Sequence, residues 1–94
     1  MDFGLSSEHL KLIRDEIKKL GIEKAAIFGS RAKGNFKPNS DIDIAIWAPS
    51  DVAAKLASEL DELPTPYKFD CLYFDSIQNE DLKEHILRVG KELT

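Results

Sequence analysis

Residues 29–43 read GSRAKGNFKPNSDID. A glycine and a serine follow the short apolar run that ends at Phe28, and ten residues separate Ser30 from Asp41. Glycine lets the chain turn sharply after a strand and lets a phosphate come close to the backbone. Side chains alternate along a strand, so Asp41 and Asp43 are expected on one face of the apolar run that follows. A phosphate-binding turn beside paired carboxylates is the minimum for metal-assisted phosphoryl or nucleotidyl transfer.

The apolar pattern on both sides of this stretch predicts helices alternating with strands. Strands are expected at 24–28, 41–48 and 67–74, and a short helix at 30–34. Longer helices are expected after the capping residue Ser6, after Pro49, and from about Asn79 to the last residues. That last helix is predicted to turn its apolar side inward, with Leu82, Ile86, Val89 and Leu93. The pattern indicates one α/β (α+β) domain over residues 1–94, a small mixed β-sheet with helices packed on one face.

Composition narrows the classes of function. The chain of 94 residues has a formal net charge of −4, which argues against direct nucleic-acid binding across a broad basic surface. A single nucleotide remains compatible, because metal ions can supply positive charge. Cys71 is the only cysteine, which excludes an internal disulfide and fits a reducing, cytoplasmic location. No apolar run approaches the roughly 20 residues that cross a bilayer, so no membrane association is expected.

Each candidate site residue also has a structural interpretation. Gly29 and Ser30 could form an ordinary strand-to-helix turn with a serine cap. Two carboxylates on one strand face repel each other unless a cation joins them, but Asp41 and Asp43 could also belong to a solvated face. Asp70 can stand beside them only if the third strand neighbours the second, where it could accept a proton and share a metal. Its structural interpretation is an exposed residue of that strand.

The string GSRAKG at 29–34, followed by SDIDI at 40–44, resembles the signature of the DNA polymerase β-like nucleotidyltransferase superfamily. That signature is Gly-Ser, ten residues and Asp-x-Asp, and it is matched here in full. The stretches PYKFD at 66–70 and HILRVGK at 85–91 are similar to the minimal nucleotidyltransferase (MNT) branch, which keeps the catalytic core without a substrate domain. The resemblance implies the polymerase β-like nucleotidyltransferase fold over almost the whole chain.

The resemblance also implies roles for the site residues. The β- and γ-phosphates of a nucleoside triphosphate, ATP by preference, would be held at the glycine–serine turn. Two Mg²⁺ ions would be held by the carboxylates, of which the third would also be the general base that accepts a proton from an acceptor hydroxyl. The implied catalytic and metal-binding residues are Asp41, Asp43 and Asp70, and the implied nucleotide-binding residues are Gly29, Ser30, Arg31 and Ser40.

Members of the MNT branch often pair with a helical-bundle HEPN protein, and some are antitoxins that transfer AMP onto a tyrosine of that partner. The resemblance therefore implies a HEPN-like partner for this chain. Two other classes of function remain possible from the sequence alone. One is a binding module that docks a nucleotide or partner without turnover, and the other is a transferase acting on a small, antibiotic-like hydroxyl compound.

Overall fold

The computed structural model describes residues 3–94, which leaves the first two residues of the expected domain outside the described part. Its helices are α1 (Ser7–Lys19), α2 (Gly29–Lys33), α3 (Ser50–Asp61) and α4 (Glu80–Val89), and its strands are β1 (Ala25–Phe28), β2 (Ile42–Ile46), β3 (Phe69–Tyr73) and β4 (Lys91–Glu92). A 3₁₀ turn at Phe74–Ser76 follows β3. The strands form a mixed sheet in the order β3-β2-β1-β4. β1 is antiparallel to β2 and β4, whereas β2 and β3 are parallel and connected through α3.

The main core lies on one face of the sheet. Ile42, Ile44 and Ile46 alternate along β2, and all three are fully buried in the cluster that includes the apolar sides of α1 and α3. Strand side chains have a period of two, so the same strand presents Asp43 and Ala45 to the opposite face. The predicted alternation of this strand is confirmed, and it is what separates the core from the carboxylates.

The opposite face of the sheet is covered in part by α4, which corrects the prediction that helices pack on one face only. Ile86 of α4 is buried against Phe28 and Ala45 in a second, smaller cluster. The mixed α/β sheet itself is as predicted. The prediction of one covered face was wrong because Asp43 made the second face of β2 look polar. Ala45 and Phe28 nevertheless leave an apolar surface on that face, which α4 covers.

The end of the chain is also different from the prediction. α4 ends at Val89 and Leu93 is not part of it, because Gly90 is extended, with φ −60° and ψ 141°. A Cβ added at Gly90 would overlap the carbonyl oxygen of Ile86. The chain then pairs with β1 as β4, and Leu93 is buried in the main core with its amide donating to Ala25 O at 2.9 Å.

Side chains cap the N-termini of α1 and α4, the first of them at Ser6 as predicted. The Ser6 hydroxyl accepts from the amide of His9, and the Asn79 side chain accepts from the amide of Leu82, both at 3.1 Å. Each bond satisfies one of the amides that the first helical turn leaves unpaired. Between residues 3 and 94, no helix combines the length and the apolar character that a membrane span requires.

Candidate active site

Three carboxylates lie near one another where β2 and β3 begin. Asp43 pairs with Asp70 across the parallel β2–β3 register, and it pairs with Phe28 across the antiparallel β1–β2 register. Neighbouring strands lie about 4.8 Å apart, so the backbones at Asp43 and Asp70 are adjacent. Asp41 stands just before β2 and two residues from Asp43. The sheet therefore places the three predicted acids near one another. The prediction for Asp70 required that β3 neighbour β2, and the two strands do pair.

Asp43 is the most enclosed of the three acids. Its side chain is half-buried, whereas Asp41 and Asp70 are exposed. Burial raises the pKa of Asp43, and the nearby charges of Asp70 and Asp41 raise it further. Both effects disfavour the charged carboxylate. A cation bound between these side chains would remove the repulsion, so the electrostatics of the cluster favour a positively charged ligand.

Gly29 makes room for the Asp43 carboxylate at the end of β1. Its φ of +73° is in the left-handed region that side chains other than glycine rarely adopt. A Cβ at this position would also overlap Oδ2 of Asp43. The backbone of the β1–α2 turn is therefore in direct contact with the carboxylate. A bound ligand that reaches Asp43 must also lie close to this turn.

Ser30 follows this turn as the second residue of α2. It is half-buried, and within the described part of the chain its hydroxyl makes no hydrogen bond. α2 contains five residues, so its helix dipole adds little and the hydroxyl is the stronger feature. The serine can therefore donate to an anion placed beside Gly29.

The donor set fits a hard divalent cation, such as Mg²⁺, that also binds other oxygen ligands. Carboxylate oxygens are the protein ligands that Mg²⁺ prefers, and its octahedral shell is commonly completed by water and phosphate oxygens. In the range 3–94, no three His, Cys, Asp or Glu side chains converge into a ready metal cage. Asp41, Asp43 and Asp70 therefore offer an open, partial shell, and oxygen atoms of a second ligand are needed to close it.

The position of Arg31 corrects the prediction of a direct contact between this residue and a triphosphate. Its side chain is 1% exposed. The guanidinium donates to the carbonyl oxygens of Ser40, Pro38 and Phe3 at 2.9–3.3 Å. A group that is enclosed and engaged in this way does not reach a surface ligand. The basic side chain next to the Gly-Ser turn suggested phosphate binding, but the fold directs it into the protein.

Ser40 lies between Arg31 and the carboxylates. Its carbonyl holds the guanidinium, and its hydroxyl accepts from the amide of Lys37 at 2.8 Å. These bonds give the residue a structural function in the loop before Asp41. Its predicted contact with a nucleotide stays a prediction.

Sequence reasoning missed the aromatic residues around Arg31. The ring centroids of Phe36 and Tyr67 lie 5.1 Å and 4.9 Å from the guanidinium carbon, at cation–π distance. Phe36 is in the loop after α2 and Tyr67 precedes β3, so neither stands at a regular spacing from Arg31. In the sequence, only the closeness of Tyr67 to the candidate acid Asp70 indicated that this segment approaches the site.

Cys71 lies beside Asp70 in the chain but belongs to the core face of β3. Burial raises the pKa of its thiol to about 12, and the charges of Asp70 and Asp61 act in the same direction. The thiolate is the reactive form of cysteine. Cys71 is therefore a packing residue and not a nucleophile of this site.

The chain is similar to known proteins in sequence and in structure. The protein adenylyltransferase MntA of Shewanella oneidensis is 43% identical over 60 residues, which are 55% of this chain and 42% of that protein. The chain thus spans less than half of the length of this curated relative. A crystal structure of a toxin–antitoxin with AMP-PNP is similar with a TM-score of 0.60 and 29% identity, covering 86% of this chain and 72% of that one.

A structure of a tri-AMPylated HEPN toxin of Shewanella oneidensis in complex with an MNT antitoxin is also similar. Its TM-score is 0.54 at 26% identity, and the match covers 90% of this chain and 71% of that one. Residues 11–94, which include the Gly29–Ser30 turn and all three carboxylates, match the protein family described as "Polymerase beta, Nucleotidyltransferase". The chain therefore belongs to the polymerase β nucleotidyltransferase family.

Proposed function

We propose that this chain is a Mg²⁺-dependent nucleotidyltransferase that moves AMP from ATP onto a tyrosine hydroxyl of a HEPN-type partner protein, as the antitoxin of a toxin–antitoxin pair. The observation that carries the proposal is the proximity of Asp41 and Asp70 to Asp43, whose carboxylate lies against the Gly29 turn. The family match supports the reaction class. The names of the similar proteins, an adenylyltransferase and a complex with an AMPylated HEPN toxin, support the donor and the partner.

In the proposed reaction, the tyrosine oxygen forms a bond to the α-phosphorus of ATP. The bond from that phosphorus to the oxygen bridging the α- and β-phosphates breaks, and pyrophosphate leaves. Asp70, the exposed acid on β3, takes the proton of the attacking hydroxyl as general base. The proton and the leaving group thus depart separately, and no further reactant is needed.

Asp41, Asp43 and Asp70 would hold the Mg²⁺ ions, of which two are expected with bound nucleotide. When bound, these ions neutralise charge on the phosphates and stabilise the attacking and leaving oxygens. Gly29 lets the β- and γ-phosphates approach the backbone, and the Ser30 hydroxyl donates to them. Since these groups are fixed by the sheet and the turn, most of their effect is positioning and electrostatic stabilisation.

ATP labelled separately at the α- and the γ-phosphate tests this function. The acceptor is any HEPN-type protein that a reading frame neighbouring the gene of this chain encodes, as wild type and with each tyrosine replaced by phenylalanine. We expect the α-label to be transferred to the acceptor and the γ-label to appear in pyrophosphate. Transfer should be lost with Asp43→Asn and retained with Asp51→Asn, because Asp51 follows the opposite end of β2.

Other outcomes would select the competing functions. Binding of ATP without transfer of either label would identify a binding module. Transfer of the γ-label to the acceptor would identify phosphoryl transfer and contradict the proposed reaction. Transfer of the α-label to an antibiotic-like hydroxyl compound, but not to the protein, would identify a small-molecule transferase.

A further inference from the structure

Arg31 is a buried cation whose guanidinium is surrounded by backbone carbonyl oxygens. Within residues 3–94, no carboxylate lies at ion-pair distance from its guanidinium. Its charge is instead compensated by carbonyl oxygens: Nε and Nη2 both donate to Ser40 O, at 3.1 Å and 2.9 Å, and Nη1 donates to Phe3 O at 2.9 Å. Burying a charge is costly unless it is hydrogen-bonded. The hydrogen bonds that compensate the charge of Arg31 therefore also fix the backbone of the residues that accept them.

The guanidinium joins two separate segments of the chain. The rings of Phe36, in the loop after α2, and of Tyr67, in the segment before β3, both pack on it. Nη2 donates in addition to Pro38 O at 3.3 Å. Contacts of this kind stabilise a cation more strongly when water is excluded. Arg31 therefore connects the loop that leads to Asp41 with the segment that leads to Asp70.

Residues of both segments line a cleft of about 410 Å³, namely Pro38, Asn39, Asp41, Pro66, Tyr67 and Lys68. The two segments are also joined directly, because the amide of Ile42 donates to Lys68 O at 2.9 Å. Ser40 O, the acceptor of two Arg31 bonds, belongs to the peptide directly before Asp41. A shift of the guanidinium would thus move the backbone that carries Asp41.

We infer that Arg31 is a positioning residue: from inside the protein it fixes the peptide before Asp41 and so sets the position of that carboxylate. The inference rests on the proposed function, in which Asp41 holds Mg²⁺ with the nucleotide. Arginine suits this position because its planar fork donates to one carbonyl through two nitrogens. A lysine ammonium keeps the charge but has no such fork. Arg31→Lys should therefore preserve the fold and loosen the loop.

Hydrogen–deuterium exchange on the nucleotide-free protein tests the loop directly. The amide of Ser40 donates to Lys37 O, that of Ile42 donates to Lys68 O, and that of Trp47 donates to Lys24 O at the far end of β2. In Arg31→Lys, we expect exchange at Ser40 and Ile42 to become at least about tenfold faster, with less than about a twofold change at Trp47. Equal acceleration at all three amides would indicate general destabilisation and overturn the inference, as would unchanged exchange at Ser40 and Ile42.

Arg14→Lys is the matched control. Arg14 on α1 also donates to a backbone carbonyl, Leu93 O, at 3.1 Å, and it is remote in sequence from the loop. This substitution should leave exchange at Ser40 and Ile42 unchanged. If Arg31→Lys does not fold, Phe36→Leu removes one ring from the guanidinium and leaves its hydrogen bonds in place. It should accelerate the same two amides by about threefold, and no acceleration would overturn the inference.

Calorimetry with Mg²⁺ and ATP then tests the connection to Asp41. Arg31→Lys should weaken ATP binding in the presence of Mg²⁺ by about tenfold in the wild-type background. In the Asp41→Asn background, the same substitution should change the affinity by less than about twofold, because its effect passes through Asp41. An equal loss in both backgrounds would contradict the inference. Absence of any ATP binding by the wild type would instead refute the proposed function, while the exchange result would still decide whether Arg31 fixes the loop.

Discussion

Replacing Gly29 by alanine tests the contact between the β1–α2 turn and Asp43. The new side chain meets two obstacles, a backbone with φ +73° and a methyl group that overlaps Oδ2 of Asp43. The left-handed conformation costs a non-glycine residue roughly 1–2 kcal/mol. Forcing an extra methyl group into a filled space costs about 1–3 kcal/mol. We therefore expect Gly29→Ala to lower the free energy of unfolding by about 2–5 kcal/mol.

Gly21 provides a matched control for the backbone contribution. Its φ is +72°, and an added Cβ would meet nothing within 4 Å. Gly21→Ala should therefore cost only the roughly 1–2 kcal/mol of the left-handed conformation. Removing the overlapped carboxylate with Asp43→Ala should lower the cost of Gly29→Ala to that of Gly21→Ala, because the methyl group then has space.

The assay is denaturant unfolding of the four variants and the wild type, with free energies compared in a double-mutant cycle. We expect a coupling free energy between positions 29 and 43, because Gly29→Ala should cost less when residue 43 is alanine. The reasoning would be refuted if Gly29→Ala and Gly21→Ala cost the same. It would also be refuted if the cost of Gly29→Ala did not change in the Asp43→Ala background.

Three further predictions concern titratable side chains. If the transfer reaction is established, Asp70→Asn should slow single-turnover transfer by about a hundredfold or more and weaken ATP binding less than Asp43→Asn does; an unchanged rate would remove Asp70 from the site. The hydrogen bond with Glu59 and burial raise the pKa of Glu16, and the same hydrogen bond lowers the pKa of Glu59. Above the ordinary carboxyl pKa, the folded protein therefore holds a proton at Glu16 that the unfolded chain releases, and the stability this proton supplies is lost as the pH rises. Glu16→Gln carries donor hydrogens at every pH, so its denaturation midpoint should exceed that of wild type at about pH 7 and approach it near about pH 4, whereas the opposite trend would contradict this assignment. The raised thiol pKa of Cys71 predicts alkylation by iodoacetamide at least about tenfold slower in the folded protein than in denaturant, and equal rates would show an accessible thiolate.

Local patterns predicted much of the fold correctly. Ser6 caps α1 as expected, α4 begins close to Asn79 as expected, and the isoleucines of β2 occupy the core face while Asp43 occupies the other. These features depend on residues close together in the chain, where capping and side-chain alternation act. The same patterns allowed the proposal that Asp70 lies near Asp43, but only the pairing of β2 with β3 establishes that the two residues are neighbours.

The features that sequence reasoning missed depend on distant contacts. β4 forms because β1 offers a free edge to residues 91 and 92, and no local pattern distinguishes these two residues from a helix end. The burial of Arg31 depends on Phe3, Pro38 and Tyr67, which come from three parts of the chain. A basic residue beside a Gly-Ser turn has the same local sequence whether it binds phosphate or supports a loop.

The central claim is that the repelling carboxylates are brought together to hold a cation with a nucleotide. Calorimetric titration of ATP into the wild-type protein, with Mg²⁺ and with excess chelator, tests it most directly. We predict that Mg²⁺ strengthens ATP binding by at least about tenfold, because phosphate oxygens complete the coordination shell that the carboxylates begin. This enhancement should be lost in Asp43→Asn and kept in Asp51→Asn. Equal affinity for ATP with Mg²⁺ and with chelator would contradict the account.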